Sequence, residues 1–154
     1  MTITLVSGDP LLTRTQALAF GHNARGRIEV GTMETQLYTR YPTAFAAYRR
    51  KCQSNRIKAG EYWAWSQGAP HLYFIVARET PVGATRMRYV QNAMMTLARD
   101  YTLLGLKSLA IAPLGDAIEW REIIPTITHW LNMISLPVVI YEQFLPDVQA
   151  DEPF

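Results

Sequence analysis

Short β-type runs alternate with amphipathic stretches along the whole of this 154-residue chain. Runs rich in β-branched, aromatic and aliphatic residues predict strands at 2–7, 17–23, 61–66, 71–78, 107–114 and 137–144. The run at 107–114 is almost continuously apolar, which is typical of a strand covered on both faces. The alternation predicts an α/β protein in which helices cover both faces of a largely parallel or mixed sheet, a three-layer α/β/α sandwich.

Three amphipathic segments predict the helices. Residues 32–53 place apolar side chains at spacings of three and four, which marks one helix face, and the proline predicts a break near Tyr41–Pro42. A second helix is expected over about 85–104, with Thr85 as its N-cap. A third is expected over about 118–134.

The composition is that of a single globular domain, with 49% apolar and 18% charged residues. We expect this domain to span residues 1–144, and residues 145–154, which are polar and interrupted by proline, to form a flexible C-terminal tail. A net charge of +2 does not by itself indicate nucleic-acid binding, although basic residues cluster at 49–51 and between 78 and 88. We interpret both basic clusters as solvated surface. The alternative is that their side chains contact phosphate groups of a ligand or nucleic acid.

Several other classes of protein are not expected. The single cysteine, Cys52, allows no internal disulfide and argues against a structural zinc site. The three histidines lie on different predicted elements without metal-site spacing, so neither a metal nor a cofactor is predicted. No apolar run approaches the roughly 20 residues of a membrane span. The protein is therefore expected to be soluble and cytoplasmic, with no membrane partner.

Glycines are distributed unevenly over the loops that follow the predicted strands. The stretch FGHNARGRIEVG contains Gly21, Gly26 and Gly31, whereas LAIAPLGDAIEW has the single Gly115. Backbone N–H groups approach the phosphates of a ligand closely where side chains are absent. In such sheets ligands bind beyond the carboxyl ends of the strands. The pattern therefore indicates a nucleotide-type site in which one wall is intact and the opposite wall is altered.

The order of several short motifs resembles the macro domain, an α/β/α module that binds ADP-ribose. The resemblance is strongest to the branch of antitoxins that remove ADP-ribose from DNA. The motifs run from about residue 3 to residue 143 and comprise Gly8-Asp9-Pro10, FGHNARGRIEVG, RYP-x-x-F-x-x-Y, IVARETPVGATR, KSLAIAPLG and VVIYE. The resemblance implies a macro-type mixed sheet and a ligand that is ADP-ribose or a related adenine nucleotide.

The resemblance also implies roles for residues that match the motifs of the family. Asp9 matches the aspartate that accepts a hydrogen bond from the adenine amino group, and Asn23 matches the asparagine that meets the distal ribose. Gly26 and Gly31 match glycines beneath the distal ribose and phosphates, and Gly115 remains from the glycine-rich loop opposite. Taken alone, Asp9 is also a typical turn residue, and Asn23 is a polar strand end that the backbone can satisfy.

Other positions depart from the pattern of the family. Arg78 stands where the antitoxin branch has a lysine that carries the chemistry, and a guanidinium holds phosphate but cannot act as a base or form an imine. Glu29 replaces a loop glycine, and a shortened loop after Gly115 carries Asp116 and Glu119. These carboxylates would repel an anionic ligand unless an arginine neutralises them. The candidates for neutralisation are Arg25, Arg27 and Arg78.

Two functions are open at this point. In the first, the chain is a divergent macro-type protein that binds ADP-ribose or a related adenine nucleotide, with His22 and Arg78 as the candidates for any residual hydrolase chemistry. In the second, the nucleotide site has been lost, and loops 24–34 and 114–120 contact a protein partner. A nucleic acid is involved only if ADP-ribosylated DNA is the substrate.

Overall fold

The computed structural model describes residues 2–154, which form a six-stranded sheet and four α-helices. The strands are β1 (Ile3–Gly8), β2 (Ala17–Asn23), β3 (Tyr62–Trp65), β4 (His71–Arg78), β5 (Leu109–Ile111) and β6 (Val138–Phe144). The helices are α1 (Thr32–Arg40), α2 (Pro42–Gln53), α3 (Met87–Asp100) and α4 (Ala117–Leu131), and a 3₁₀ turn, Pro10–Leu12, follows β1. Each predicted strand is present, which confirms the α/β class.

The strands lie in the order β1-β6-β5-β2-β4-β3. Every neighbouring pair is parallel except β3 and β4, which are antiparallel, so the sheet is mixed as predicted. Because the five parallel strands run in the same direction, their carboxyl ends meet at one edge of the sheet. The loops that follow these strands gather at that edge and form the rim of the candidate site.

Two buried apolar layers lie on opposite faces of the sheet, because successive side chains of a strand point to opposite sides. One layer joins the sheet to α3 and α4 and includes Ile75, Ile140, Met94 and Ile127. The other joins the sheet to α1 and α2 and includes Phe20, Phe74, Leu37 and Tyr48. This arrangement confirms the three-layer α/β/α sandwich.

The predicted break between α1 and α2 is present, whereas the predicted start of α3 differs from the structure. Tyr41 ends α1 and Pro42 is the first residue of α2, a position where proline removes only an N–H that would lack a helical partner. At α3 the prediction of Thr85 as N-cap is wrong, because Arg86 occupies that position and the Thr85 hydroxyl instead bonds to Arg78. Within residues 2–154, no helix has the length and apolar character needed to cross a bilayer.

The segment that follows β6 packs against the start of the chain. Glu152 is buried, and its carboxylate accepts hydrogen bonds from the Thr13 hydroxyl (2.6 Å) and the Arg14 N–H (2.9 Å). It also accepts a hydrogen bond from the Tyr141 hydroxyl on β6 (2.6 Å). Part of the segment for which we predicted a flexible tail therefore makes buried contacts.

Candidate functional site

The predicted ligand residues follow the carboxyl ends of the parallel strands. Asp9 follows β1, Asn23 ends β2, Arg78 ends β4, and Gly115 lies beyond β5. Asn23 and Arg78 are partners in the register of β2 and β4, and the Ala24 N–H donates to the Arg78 carbonyl (2.9 Å). The structure thus brings Asn23 and Arg78 together, whereas β5 and β6 separate Asp9 from both.

Glu29 lies between Asn23 and Arg78. Its Oε1 atom forms an ion pair with the Arg78 guanidinium. Its Oε2 atom accepts a hydrogen bond from the Asn23 amide (2.8 Å) and lies 3.3 Å from His22 Nδ1. The Glu29 side chain is only 11% exposed, so the ion pair is largely shielded from water. Loop 24–31 therefore directs the Glu29 carboxylate inward, where it pairs with Arg78, the arginine that the sequence analysis considered as a phosphate-binding residue.

The charge of Glu29 is stabilised despite its burial. Burial raises the pKa of the Glu29 carboxyl group, but the hydrogen bonds with His22 and Asn23 and the charges of Arg78 and His22 together outweigh it. The pKa of Glu29 consequently lies below its ordinary value of 4.5. At neutral pH the carboxylate is ionised and neutralises Arg78.

Thr85 fixes the position of the Arg78 guanidinium, and Gly21 lies beside it. The Thr85 hydroxyl accepts hydrogen bonds from Arg78 Nη2 (2.9 Å) and Nε (3.3 Å), and the Thr85 N–H donates to Glu119 (3.1 Å). A Cβ atom at Gly21 would lie 3.4 Å from Arg78 Nη2, an ordinary contact distance, and 3.1 Å from Leu114, which would have to shift slightly. Sequence reasoning missed the role of Thr85. The strand-loop-helix motif that contains Arg78 and Thr85 was the available signal.

The polar atoms of Asn23 are used within loop 24–29. Its side chain is fully buried, and Oδ1 accepts hydrogen bonds from the N–H groups of Arg25 (3.1 Å) and Arg27 (3.2 Å). The amide nitrogen donates to the Arg27 carbonyl (2.9 Å) as well as to Glu29. Gly26 forms the turn between the two arginines with a φ of +68°. In this structure Asn23 shapes the loop that carries Glu29.

Asp9 is 2% exposed, and both of its carboxylate oxygens have backbone partners. Oδ1 accepts a hydrogen bond from the Leu11 N–H (3.0 Å), which closes the 3₁₀ turn. Oδ2 accepts one from the Asp147 N–H (3.0 Å), and the Asp9 N–H donates to the Val148 carbonyl (2.7 Å). An adenine amino group would have to share the carboxylate with these two backbone donors.

Gly31 and Gly115 lie where loops enter α1 and α4. A Cβ atom at Gly31 would lie 1.9 Å from Glu34 Oε1, and Gly115 has a φ of +78°. Directly after Gly115, Asp116 accepts a hydrogen bond from the Glu119 N–H (2.8 Å), and Glu119 accepts one from the Asp116 N–H (2.9 Å). These carboxylates form a capping box, so the acidic replacements seen in the sequence stabilise the start of α4.

A cleft of about 320 Å³ lies between loop 24–31 and loop 113–119. Among its lining residues in the described chain, Arg78 is the one basic side chain, against four carboxylates. The carboxylates belong to Glu29, Glu34, Asp116 and Glu119. Within residues 2–154, no group of three or more His, Cys, Asp and Glu side chains could hold a metal ion. The cleft can therefore offer an anion one guanidinium, once Glu29 moves away from it.

His22 lies in the core beneath the cleft and is 3% exposed. Its ring stacks on Tyr48 at a centroid distance of 5.0 Å and meets Phe45 edge-on at 5.3 Å. Within residues 2–154, its buried Nε2 atom has no hydrogen-bond partner, and the adjoining cavity of about 10 Å³ is barely large enough for one water molecule. His22 therefore contacts Glu29 on one side and the buried α2 side chains Phe45 and Tyr48 on the other.

No protein-family model matches the chain. Among curated proteins, it is 21% identical over 177 residues to a DNA ADP-ribosyl transferase-DNA ADP-ribosyl glycohydrolase fusion protein of Thermosipho africanus. It is 26% identical over 155 residues to a DNA ADP-ribosyl glycohydrolase of Mycobacterium tuberculosis. These alignments cover 99% and 96% of the chain but only 45% and 41% of the relatives. The chain thus spans less than half the length of these curated relatives.

Solved structures share the fold over nearly the whole chain. The macrodomain of Thermus aquaticus DarG matches with a TM-score of 0.83 at 22% identity, covering 91% of this chain and 97% of that one. The macrodomain of Mycobacterium tuberculosis DarG matches with a TM-score of 0.80 at 25% identity, covering 90% and 96%. Thermosipho africanus DarTG, solved in complex with ADP-ribose, matches with a TM-score of 0.83 at 17% identity, covering 96% of this chain and 43% of that one.

Proposed function

From the premise that this chain is a divergent macrodomain similar to those of DarG, we propose that it binds ADP-ribose or a related adenine nucleotide. One of the structures that share this fold, Thermosipho africanus DarTG, was solved in complex with ADP-ribose. The observation that carries the proposal is Arg78, a buried guanidinium that Thr85 holds in the cleft beyond the carboxyl ends of β2 and β4. Hydrolysis is not part of the proposal, because a guanidinium cannot serve as a base.

Glu29 acts in this proposal as an internal competitor of the ligand. It supplies Arg78 with the anion that a diphosphate would otherwise provide. Displacement of Glu29 would break its contacts with His22 and Asn23, which lowers the affinity for the diphosphate. A ligand would therefore bind more weakly here than in a cleft with glycine at this position.

Calorimetric titration of the wild-type protein and the Glu29→Gln variant with ADP-ribose tests the proposal. We expect the variant to bind about tenfold more tightly, equivalent to about 1.4 kcal/mol, because the competing charge is gone. AMP has neither the diphosphate nor the distal ribose, so its affinity should change less.

The matched control is Glu34→Gln, which removes one charge from the same cleft without freeing Arg78. An equal gain in this variant would mean that general repulsion, and not competition for Arg78, limits binding. The absence of heat with ADP-ribose for both the wild type and Glu29→Gln would rule out the nucleotide function.

We also propose ADP-ribosylated DNA as a ligand that would present ADP-ribose to the cleft, since two curated relatives are named as DNA ADP-ribosyl glycohydrolases. On such a substrate we expect binding without release of ADP-ribose. A cytoplasmic location is part of the same proposal.

A second candidate function is contact with a protein partner at the mouth of the cleft. Large apolar side chains are exposed on the loops around the cleft and on the first turn of α4: Ile28 (68%), Val30 (99%), Val82 (97%) and Ile118 (73%). Clustered exposed apolar side chains favour a protein interface. One relative fuses a transferase to a glycohydrolase, so a DNA ADP-ribosyl transferase is the partner to test. Loss of its binding in Val82→Asp, a position outside the lining of the cleft, with ADP-ribose affinity unchanged, would support this function.

A further inference from the structure

A larger cavity of about 730 Å³ lies on the α2 side of loop 24–31. The first half of this loop lines the larger cavity, whereas Glu29 and Val30 line the cleft of about 320 Å³ described above. The remaining walls are formed by the end of α2, by Glu79 and Tyr89, and by four residues that follow α2: Asn55, Ile57, Lys58 and Ala59. We call this cavity the basic cleft, after its charged residues Arg25, Arg27, Arg49 and Lys58.

Gly26 brings the arginines of the basic cleft together. A Cβ atom at this position would lie 2.8 Å from the Arg49 Cα and 3.3 Å from the Cys52 sulfur. Loop 24–27 can therefore touch α2 only because residue 26 has no side chain, and this contact places Arg25 and Arg27 beside Arg49. The buried Asn23 side chain holds the backbone of both loop arginines. The cluster is thus preorganised by the fold.

Within residues 2–154, the cations of the basic cleft form no salt bridge. In residues 2–154, the three salt bridges join Glu29 to His22 and to Arg78, and Arg99 to Asp100. The four basic side chains that line the cleft are exposed, and Glu79 is the one carboxylate among the lining residues of this part of the chain. Unpaired like charges that share a concave surface attract an anion that carries several charges.

We propose that the basic cleft binds the phosphodiester backbone of single-stranded nucleic acid. Four cations that line one cleft can contact successive phosphates of one strand. The half-buried Tyr89, whose ring has the Arg88 guanidinium 5.0 Å from its centroid, is the aromatic side chain of the cleft that a base can contact. A concave cleft admits one strand, whereas a duplex presents its phosphates on a wide convex surface. This inference goes beyond ADP-ribose binding, because it concerns a separate cavity and an unmodified strand.

Fluorescence anisotropy of a labelled, unmodified dT 20-mer tests the proposal on the full chain between 50 and 200 mM salt. Four phosphate contacts predict a slope of about −2.8 for the logarithm of the association constant against the logarithm of salt concentration. Arg49→Glu should reduce this slope by about 0.7 or more and weaken binding at least about fivefold. Tyr89→Leu should weaken binding without changing the slope, because stacking releases no counterions.

The matched control is Arg121→Glu, an exposed arginine on α4 that gives the protein the same net charge as Arg49→Glu. We expect its oligonucleotide affinity to stay within about twofold of wild type, because it removes no phosphate contact. An equal loss in both variants would show diffuse attraction and overturn the proposal.

Three further outcomes would also contradict it. These are no binding at 50 mM salt, tighter binding of the corresponding duplex, and binding of poly-glutamate but not of the oligonucleotide. Calorimetry of Arg49→Glu with ADP-ribose separates the two proposals, since this variant should keep the wild-type affinity for the nucleotide.

Discussion

At the scale of single residues, Glu29 contributes to stability as well as to the site. It pairs with a guanidinium that is itself 7% exposed, so removal of the carboxylate charge leaves Arg78 buried without an ionic partner. We expect Glu29→Gln to lower the free energy of unfolding at pH 7 by about 3 kcal/mol, as measured by urea denaturation. Glu34→Gln, which removes an unpaired charge from the first turn of α1, should cost less than about 1 kcal/mol.

The effect of Glu29→Gln should depend on pH in a defined direction. The pKa of Glu29 is lower in the folded protein than its ordinary value of 4.5. Its stabilising contribution is therefore complete above about pH 4.5 and is lost as the pH falls through the folded-state pKa. The difference in unfolding free energy between wild type and variant should shrink below pH 4.5. A constant difference down to pH 3 would show that ionisation of Glu29 is not the cause.

At the scale of elements, Tyr48 ties α2 to the end of β2. Its side chain is fully buried, it stacks on Phe74 at a centroid distance of 4.4 Å, and its hydroxyl donates to the Asn23 carbonyl (2.7 Å). Tyr48→Phe keeps the stacking but removes one of the two hydrogen bonds that this carbonyl accepts, the other coming from the Gly26 N–H (3.3 Å), so we expect a loss of about 1 kcal/mol. Hydrogen exchange of loop 24–31 should become faster, because the helix no longer holds the strand end.

Tyr41→Phe is the matched control for this prediction. Within residues 2–154, the Tyr41 hydroxyl is buried without a hydrogen-bond partner, so its removal should be neutral or slightly stabilising. If thermal unfolding shows the same loss for Tyr41→Phe and Tyr48→Phe, the bond to Asn23 is not what stabilises the junction of α2 and β2.

At the scale of the whole molecule, Glu152 joins the segment after β6 to residues near the start of the chain. Its carboxylate accepts hydrogen bonds from Thr13, Arg14 and Tyr141, across sequence separations of up to 139 residues. We expect Glu152→Ala to cost roughly 3 kcal/mol, because these donors lose their acceptor. For a domain of this size, that corresponds to a Tm lowered by about 6–12 °C.

Asp151→Ala is the control for Glu152→Ala, since Asp151 is an exposed acidic neighbour. Its Tm should differ little from that of the wild type. A Tm for Glu152→Ala within about 1 °C of wild type would contradict the docked position of this segment.

Much of the fold could be predicted from local patterns. Periods of two and of three to four residues placed each strand and helix, and Pro42 marked the break between α1 and α2. The motifs also pointed to the macrodomain fold, which the solved structures confirm. Thr85 was misassigned because a threonine before a helix satisfies the capping pattern equally well whether or not its hydroxyl has a better partner.

The identity of the acidic residue at position 29 and of the arginine at position 78 was evident in the sequence, and so was their conflict with an anionic ligand. Which of the three candidate arginines neutralises Glu29 was left open, because 49 residues separate Glu29 from Arg78 and only the adjacency of β2 and β4 brings them into contact. The same holds for the cluster of Arg25, Arg27 and Arg49, which depends on the contact of Gly26 with α2. Local periodicity sets the elements because it reflects backbone geometry over a few residues. The partner of each charged side chain was decided by the tertiary structure, because it depends on which strands and helices become neighbours.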